Sequence, residues 1–290
     1  MNAPHALITG GSSGIGRALA HKLAAEGYDL SLIARRTELL QETARELERV
    51  FVRPGQRVFI HSADVSNAAQ AAEAVKAAIA ALGAPDLVVT SAGIAVPGHF
   101  AEQPLELSER SMAVNYFGSL YVVHAALPAM RARKQGRIVF MSSGAGLMGI
   151  FGYTTYSPGK FALRGLAEAL RAELRADNIS ISIVFPPDTD TPMLEEENKT
   201  KPEETAVIAS VAKMWGAEGI ANCVMRGIAR NAFAITPGYM LTLINRMPGL
   251  MIPLLHRYCD KLVAGVARKR LRAGAASNGR ASALASGSHS

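Results

Sequence analysis

The sequence predicts an α/β fold in which helices cover both faces of a doubly wound parallel sheet of about seven strands. Short runs rich in Val, Ile, Leu and Phe alternate with longer runs at helical spacing, and a glycine-rich turn follows the first short run. Six of the short runs are apolar nearly throughout, which is typical of strands buried on both faces of a parallel sheet. The 290 residues are enough to bury such a core in one domain.

Strands and helices are predicted to alternate along most of the chain. The predicted strands are His5–Thr9, Tyr28–Ala34, Arg57–Ser62, Asp86–Ser91, Arg137–Ser142, Ile179–Phe185 and Ala232–Thr236. The predicted helices are Ile15–Glu26, Thr37–Val50, Ala68–Leu82, Ser108–Arg133 and Thr155–Ala176. Strands joined by helices imply right-handed crossovers. We therefore expect a domain over residues 1–237 with a lid at about 187–215, an apolar and basic extension over 238–272, and a flexible tail over 273–290.

Composition excludes several classes of protein. The chain is 49% hydrophobic and 19% charged, which excludes a disordered protein. Two cysteines are too few for a disulfide framework and favour a reducing compartment such as the cytoplasm. The net charge is +7, but seven basic residues and one acid lie within residues 257–280, so the rest is nearly neutral and does not favour nucleic-acid binding. The seven histidines show no metal-binding spacing, and no metal is expected.

The glycine-rich turn Thr9–Gly16 joins the first predicted strand to the first predicted helix. Glycine lets a backbone take a positive φ and approach a ligand closely, and the free N–H groups of a helix start bind anions. The turn therefore predicts a Rossmann-type dinucleotide site, with the pyrophosphate held by Gly10, Ser12, Ser13, Gly14, Ile15 and Gly16. The segment Gly10–Gly14 also matches the Gly-x-Ser-x-Gly motif that surrounds the nucleophilic serine of some hydrolases. A phosphate-binding loop is favoured because it explains Gly10, Gly14 and Gly16 together, which the hydrolase motif does not.

Two arginines follow the second predicted strand, where an NAD site carries an acid. The guanidinium groups of Arg35 and Arg36 pair well with a 2′-phosphate, so NADPH is favoured over NADH; the alternative is a solvated pair of surface arginines. Asp64, followed by Val65, comes after the third strand. Its carboxylate is expected either to accept a hydrogen bond from the adenine amino group or to cap the helix that begins near Asn67.

Tyr156 and Lys160 are four residues apart in a predicted helix, so they share one face. A neighbouring ammonium favours a phenolate, and we expect it to lower the pKa of Tyr156 from about 10. Such a phenol can donate a proton to a carbonyl oxygen as a hydride arrives at the carbonyl carbon. Ser142 and Ser143 end the fifth strand, and a hydroxyl there can hold the substrate oxygen.

These elements together resemble the short-chain dehydrogenase/reductase family. The matching segments cover residues 5 to about 193 and are Thr9–Gly16, Asp64, Ser91-Ala92-Gly93, Asn115, Ser143 and Tyr156-x-x-x-Lys160. The resemblance implies an NADPH-dependent ketone reductase, and it favours Ser143 over Ser142 as the residue that faces the substrate.

The resemblance also implies roles for individual residues. It implies that Lys160 binds the nicotinamide ribose beside Tyr156 and that Asn115 supports a water linking Lys160 to solvent. It further implies that Ala92 and Gly93 line the cofactor site, and that Thr191 meets the carboxamide, with Thr189 as the other candidate.

Within that family, three segments are similar to the 3-ketodihydrosphingosine reductases: Phe151–Tyr153, Lys160–Leu170 and Pro186–Pro202. This implies reduction of the 3-keto group of a long-chain base in sphingolipid biosynthesis. Glu195, Glu196 and Glu197 are expected either to attract the substrate ammonium or to form a solvated charged loop. The alternatives are a reductase for another bulky apolar ketone, such as a steroid or a 3-oxoacyl chain, and a non-catalytic NADPH-binding regulator.

Residues 238–266 are strongly apolar, but Asn245, Arg246, Pro248 and Pro253 interrupt them, so no run of about 20 apolar residues can span a membrane. With its basic flank, this extension favours peripheral contact with the cytoplasmic face of a membrane; an oligomer interface or a cover over the substrate pocket is the alternative. By analogy with the family, Ser108–Arg133 and Thr155–Ala176 are expected to pair across a two-fold axis in a homodimer or homotetramer.

Overall fold

Seven parallel strands form one sheet at the centre of the protein, whose computed structural model describes residues 3–211 and 213–286. Together with two short strands outside this sheet, the strands are β1 (His5–Thr9), β2 (Asp29–Ala34), β3 (Val58–Ser62), β4 (Leu87–Thr90), β5 (Gly136–Met141), β6 (Ile179–Val184), β7 (Thr189–Asp190), β8 (Trp215–Gly216) and β9 (Ala234–Ile235). The central sheet has the order β3-β2-β1-β4-β5-β6-β9, and β7 and β8 pair separately. All the pairs are parallel. The prediction of a doubly wound parallel sheet is confirmed.

The helices connect the strands and then continue beyond the sheet. They are α1 (Gly14–Ala25), α2 (Thr37–Glu48), α3 (Ala68–Leu82), α4 (Leu105–Met112), α5 (Gly118–Arg133), α6 (Ser157–Glu173), α7 (Pro192–Asn198), α8 (Glu203–Ala209), α9 (Ala217–Ala229), α10 (Tyr239–Arg246) and α11 (Pro248–Ser286). A turn of π-helix, Ala113–Phe117, joins α4 to α5. The helix predicted over Ser108–Arg133 is therefore longer at its start and interrupted.

Apolar side chains fill both faces of the sheet. Helices α3, α5 and α6 bury one face, and α1, α2 and α9 bury the other. Strands β1, β2 and β4 are almost fully buried, as their continuous apolar sequences predict. The expectation of burial on both faces is wrong for β3, which is only partly buried because it lies at the edge of the sheet. The strand order changes direction between β1 and β4, and ligands of such sheets bind at that point, beyond the carboxyl ends of the strands.

Helices α10 and α11 form the extension after the last strand. Met251, Ile252 and Leu255 of α11 pack against the core. Arg270 donates two hydrogen bonds to the carboxylate of Glu204 in α8, at 2.7 and 3.1 Å. No helix in the described residues is both long enough and apolar enough to cross a bilayer.

Helix α11 runs through Ser286, into the segment for which a flexible tail is predicted, and residues 287–290 lie outside the described residues. Helices α7 and α8 and strand β8 occupy the segment predicted as a lid. The division into a domain, a lid, an extension and a tail stays a prediction.

Candidate active site

A cleft lies beyond the carboxyl ends of β1, β4 and β5 and brings together most residues predicted to bind the cofactor. Its lining includes Gly10, Ser12, Ser13, Gly14, Ile15, Arg35, Arg36, Asp64, Val65, Ala92, Gly93, Tyr156, Lys160, Thr189 and Thr191. Ser142 and Ser143 also reach it. Gly16 and Asn115 are not among the lining residues and lie behind them.

The turn after β1 requires its glycines for geometric reasons. Gly10 and Gly14 have φ angles of +68° and +52°, which residues other than glycine rarely adopt. A Cβ on Gly16 would lie 2.3 Å from the carbonyl oxygen of Gly10, so only glycine lets α1 begin this close to the turn. The Ser13 side chain makes no capping hydrogen bond, so the N–H groups that open α1 remain suited to an anion. These features fit the pyrophosphate of a dinucleotide.

Arg35 and Arg36 are exposed at the end of the cleft nearest β2. Burial raises the pKa of Asp64, but hydrogen bonds from Ser66 and the positive charge of Arg35 outweigh it, so the carboxyl has a lowered pKa and stays ionised. Asp64 Oδ1 accepts from the backbone N and Oγ of Ser66, at 3.0 and 2.7 Å. The alternative in which Asp64 caps the next helix is wrong, because Asn67 caps α3.

Thr189 and Thr191 bring the segment after β6 over the glycine turn. The Thr191 methyl carbon lies 3.1 Å from the position of a Cβ on Gly14. Its hydroxyl donates to the Thr189 carbonyl at 3.1 Å and accepts from Leu194 N at 3.4 Å, which caps α7. The Thr189 hydroxyl donates to the Pro187 carbonyl at 2.8 Å. Both threonines line the cleft, so which one meets the carboxamide stays open.

Tyr156 and Lys160 meet inside the cleft, as their spacing predicts. Tyr156 directly precedes α6, and Pro158 is accommodated in the first turn, where a helix needs no N–H donor. The Lys160 ammonium lies 5.4 Å from the centre of the Tyr156 ring and donates to the Met141 carbonyl at 3.0 Å. Both side chains are almost fully buried.

Burial controls the protonation of this pair. It lowers the pKa of Lys160 from 10.5 to about 8. Burial and the negative charges of Glu197 and Asp188 raise the pKa of Tyr156, and a hydrogen bond with Ser143 opposes them. The prediction of a lowered Tyr156 pKa is wrong for the chain itself, because burial and the two carboxylates raise that pKa. The phenol is held in its protonated form, which is the form that a proton donor needs.

The two serines after β5 point to different partners. Ser142 is buried, and its hydroxyl donates to the Lys160 carbonyl at 2.9 Å, so it fastens α6 to β5. The Ser143 hydroxyl accepts from Ala145 N at 3.1 Å and lies near the Tyr156 hydroxyl. The geometry favours Ser143 as the residue that faces the substrate and gives Ser142 a positioning role.

Asn115 lies in the π-helical turn between α4 and α5 and is completely buried. Its side-chain amide accepts from Ile94 N at 3.0 Å and donates to the Ile94 carbonyl at 2.9 Å and to Ser111 Oγ at 3.0 Å. A Cβ on Gly93 would lie 2.8 Å from the Asn115 amide oxygen and 3.5 Å from the Lys160 ammonium. Asn115 therefore braces the loop after β4 behind Lys160, and its predicted support of a water stays a prediction.

Two further side chains enter the cleft: that of Tyr153, which was assigned no role from the sequence, and that of Glu197, for which the alternative of a solvated charged loop is wrong because the residue is buried in α7. The Tyr153 hydroxyl donates to Glu197 Oε2 at 2.6 Å, and both residues are buried. The ring centres of Tyr153 and Tyr156 are 5.7 Å apart. The similarity of Phe151–Tyr153 to one subgroup and the run of three glutamates were the only signals that could have identified them.

The contrast between the serines leads to a prediction. Ser143→Ala should lower kcat/KM for ketone reduction by about 100-fold or more, because it removes a hydroxyl beside the proton donor. Ser142→Ala should cost about 1 kcal/mol of unfolding free energy, because it removes a buried hydrogen bond, with a loss of activity below about tenfold. Steady-state kinetics and urea unfolding of both variants measure these effects. Equal losses of kcat/KM would contradict the assignment.

The lowered pKa of Lys160 leads to a second prediction. The unfolded chain has the ordinary lysine pKa of 10.5. The full free-energy cost of burying the charge is therefore present below about pH 8, and this cost disappears as pH rises towards 10.5. Lys160→Met should therefore raise the unfolding free energy at pH 7 by roughly 1–3 kcal/mol. The gain should shrink between pH 8 and 10.5.

Urea unfolding at several pH values measures this effect. Lys76→Met is the matched control for removal of a lysine charge, because Lys76 is exposed on α3. A gain for Lys160→Met that stays constant from pH 7 to 10.5 would contradict the prediction.

The site and fold agree with comparisons to known proteins. A family model for short chain dehydrogenases matches residues 4–202. A 3-dehydrosphinganine reductase from Danio rerio is 40% identical over 249 residues, which are 84% of this chain and 75% of the relative.

Two solved structures are also similar. A short-chain dehydrogenase/reductase from Burkholderia phymatum in complex with NAD has a TM-score of 0.75 and 25% identity, covering 86% of this chain and 95% of the other. An alcohol dehydrogenase from Thermococcus sibiricus complexed with 5-hydroxy-NADP has a TM-score of 0.69 and 27% identity, covering 81% and 96%. The family model and the reductase relative confirm the resemblance inferred from the motifs, and this chain belongs to the short chain dehydrogenase family.

Proposed function

We propose that this protein reduces the 3-keto group of 3-ketodihydrosphingosine with NADPH, giving dihydrosphingosine (sphinganine) for sphingolipid biosynthesis. The observation that carries the proposal is its 40% identity, over most of both chains, to a 3-dehydrosphinganine reductase. A proton donor, its lysine neighbour and a serine hydroxyl stand together at the cleft, which suits ketone reduction. A non-catalytic regulator would not need this set.

Bound NADPH would supply the hydride. The glycine turn and the start of α1 suit its pyrophosphate, and the guanidinium groups of Arg35 and Arg36 suit its 2′-phosphate. The position after β2 carries no acid for a ribose 2′-hydroxyl, which favours NADPH over NADH. The exposure of both arginines leaves them able to meet the phosphate.

The chain's own groups handle the proton. The Tyr156 hydroxyl donates its proton to the carbonyl oxygen as negative charge develops there, and Ser143 orients that oxygen. The Lys160 ammonium lies over the Tyr156 ring, 5.4 Å from its centre, so its positive charge can stabilise the phenolate left after the transfer. Burial of the pair keeps water away from the transfer.

The experiment is an NADPH oxidation assay, followed by absorbance, with 3-ketodihydrosphingosine, a steroid ketone and a 3-oxoacyl thioester. We expect the highest kcat/KM for the long-chain base and a lower KM for NADPH than for NADH. Tyr156→Phe should lower kcat by about 100-fold or more while NADPH still binds. Turnover of the steroid without turnover of the long-chain base would overturn the substrate, and unchanged turnover in Tyr156→Phe would overturn the mechanism.

We further propose that α11 rests on the cytoplasmic face of a membrane, where a lipid ketone is delivered. Leu250, Leu254 and Tyr258 are four residues apart in α11 and exposed, so they form one apolar stripe on the helix. Exposed basic residues suited to anionic lipids lie beside and after the stripe, at Arg257, Lys261 and Arg268. The inner face of the same helix is already packed against the core.

Sedimentation with vesicles tests this contact. Wild-type protein should sediment with phosphatidylserine-containing vesicles and less with pure phosphatidylcholine vesicles. Leu250→Asp with Leu254→Asp should abolish the binding, because charge is costly in the interface. Val52→Asp adds a charge at an exposed apolar residue away from this helix and should leave the binding unchanged. Equal sedimentation of both variants would contradict the proposal.

We also propose that the protein forms a homodimer or homotetramer through α5 and α6. Phe117, which immediately precedes α5, and Phe161 in α6 are each about two-fifths exposed. An oligomer would cover these aromatic side chains, which supports the pairing expected from the family.

A further inference from the structure

Three carboxylates line the cleft, those of Asp64, Asp188 and Glu197, and the proposed proton transfer uses none of them; of the three, Glu197 is the buried one. Helix α7 carries three consecutive glutamates, but Glu195 and Glu196 are exposed and Glu196 pairs with Lys199 in solvent. Glu197 is turned inward and is only 8% exposed. It lines the same cleft as Tyr156 and Lys160.

Glu197 is incompletely compensated in this position. Among the described residues, the Tyr153 hydroxyl is its one hydrogen-bond donor, at 2.6 Å on Oε2. Burial raises the pKa of Glu197, and the Tyr153 hydrogen bond with the charge of Lys201 opposes it. A carboxylate can accept several hydrogen bonds, and a buried one is stable only when cations and donors replace its lost water. A primary ammonium, with three donors and a positive charge, suits it chemically.

The position of Glu197 relates it to the reacting carbonyl. Its charge acts on both the Tyr156 phenol and the Lys160 ammonium, and the Tyr153 ring that holds it lies 5.7 Å from the Tyr156 ring. In 3-ketodihydrosphingosine the amine is on the carbon next to the carbonyl carbon. A substrate whose carbonyl oxygen meets Tyr156 and Ser143 therefore brings its ammonium within the same small part of the cleft.

We propose that Glu197, held by Tyr153, binds the ammonium next to the reacting carbonyl and makes the enzyme select 2-amino ketones over ketones that lack the amine. This inference rests on the proposed function and assigns one residue of the lid to substrate choice. Tyr153 acts as a positioning residue, because its hydroxyl fixes one carboxylate oxygen and leaves the other for the substrate.

A purely structural role for Glu197 makes a different prediction. The Tyr153–Glu197 hydrogen bond links α7 to the segment before α6, so its loss could disturb the whole site. Such a disturbance would lower activity on every ketone alike. Recognition of the ammonium affects only substrates that carry it, so the ratio of kcat/KM between two substrates separates the roles.

The experiment compares 3-ketodihydrosphingosine with the same 1-hydroxy-3-ketone carrying hydrogen in place of the amine. Wild-type enzyme should prefer the amine-bearing ketone, and Glu197→Gln should lower this preference about 10- to 100-fold, because it removes the charge and keeps the shape. Glu197→Asp, which keeps the charge, should recover part of the preference. Glu196→Gln is the matched control on the same helix and should keep the wild-type preference.

The outcomes are distinguishable. If wild-type enzyme reduces neither ketone, the proposed function fails. If it reduces the amine-bearing ketone but shows no preference, or if Glu197→Gln keeps the full preference, the role of Glu197 is overturned while the function stands. Should Glu197→Gln fail to unfold cooperatively, inhibition of the wild-type enzyme decides: sphinganine should inhibit more strongly than the matching diol without the amine, and equal inhibition would overturn the inference.

Discussion

The active site depends on one buried hydrogen bond, from the Lys160 ammonium to the main-chain carbonyl of Met141. Met141 ends β5 and Lys160 lies in the first turns of α6, so the bond fixes the helix against the carboxyl end of this strand. Ser142 reinforces it by donating to the Lys160 carbonyl. Because Ser143 follows Ser142 and Tyr156 precedes the helix, the same contact helps to set the distance between the Tyr156 and Ser143 hydroxyls. Burial lowers the pKa of this ammonium to about 8, which means that burying its charge costs folding free energy. A role in the function of the site accounts for a charge buried at this cost.

Much of the fold could be predicted because its signals are local. Continuous apolar runs such as Leu87–Thr90 indicate strands buried on both faces, and the positions of Gly10 and Gly14 mark a turn that needs positive φ. The part after β6 could not be predicted in the same way. Helices α7 and α8 have seven residues each, too few to show a period, and β9 is two residues long because only those residues pair with β6.

The site residues could be predicted better than their chemistry. Tyr156, Lys160 and Ser143 follow from spacing and family motif, but the direction of the Tyr156 pKa shift depends on burial and on Glu197, which is forty-one positions away. The three glutamates of α7 look alike in the sequence, and only their packing turns Glu197 inward. Likewise, Asp64 and Asn67 are both good helix caps, and the local backbone selects Asn67. Burial and orientation are tertiary properties, which motif spacing does not contain.

The central claim is that, in this cleft, bound NADPH would supply a hydride to the keto carbon of a long-chain base while Tyr156 supplies the proton to the carbonyl oxygen. The most direct measurement is mass spectrometry of the product formed from 3-ketodihydrosphingosine and NADPH carrying deuterium at both positions of nicotinamide C4. The account predicts sphinganine with one deuterium, bonded to C3. Product without deuterium, or with the label at another carbon, would contradict it.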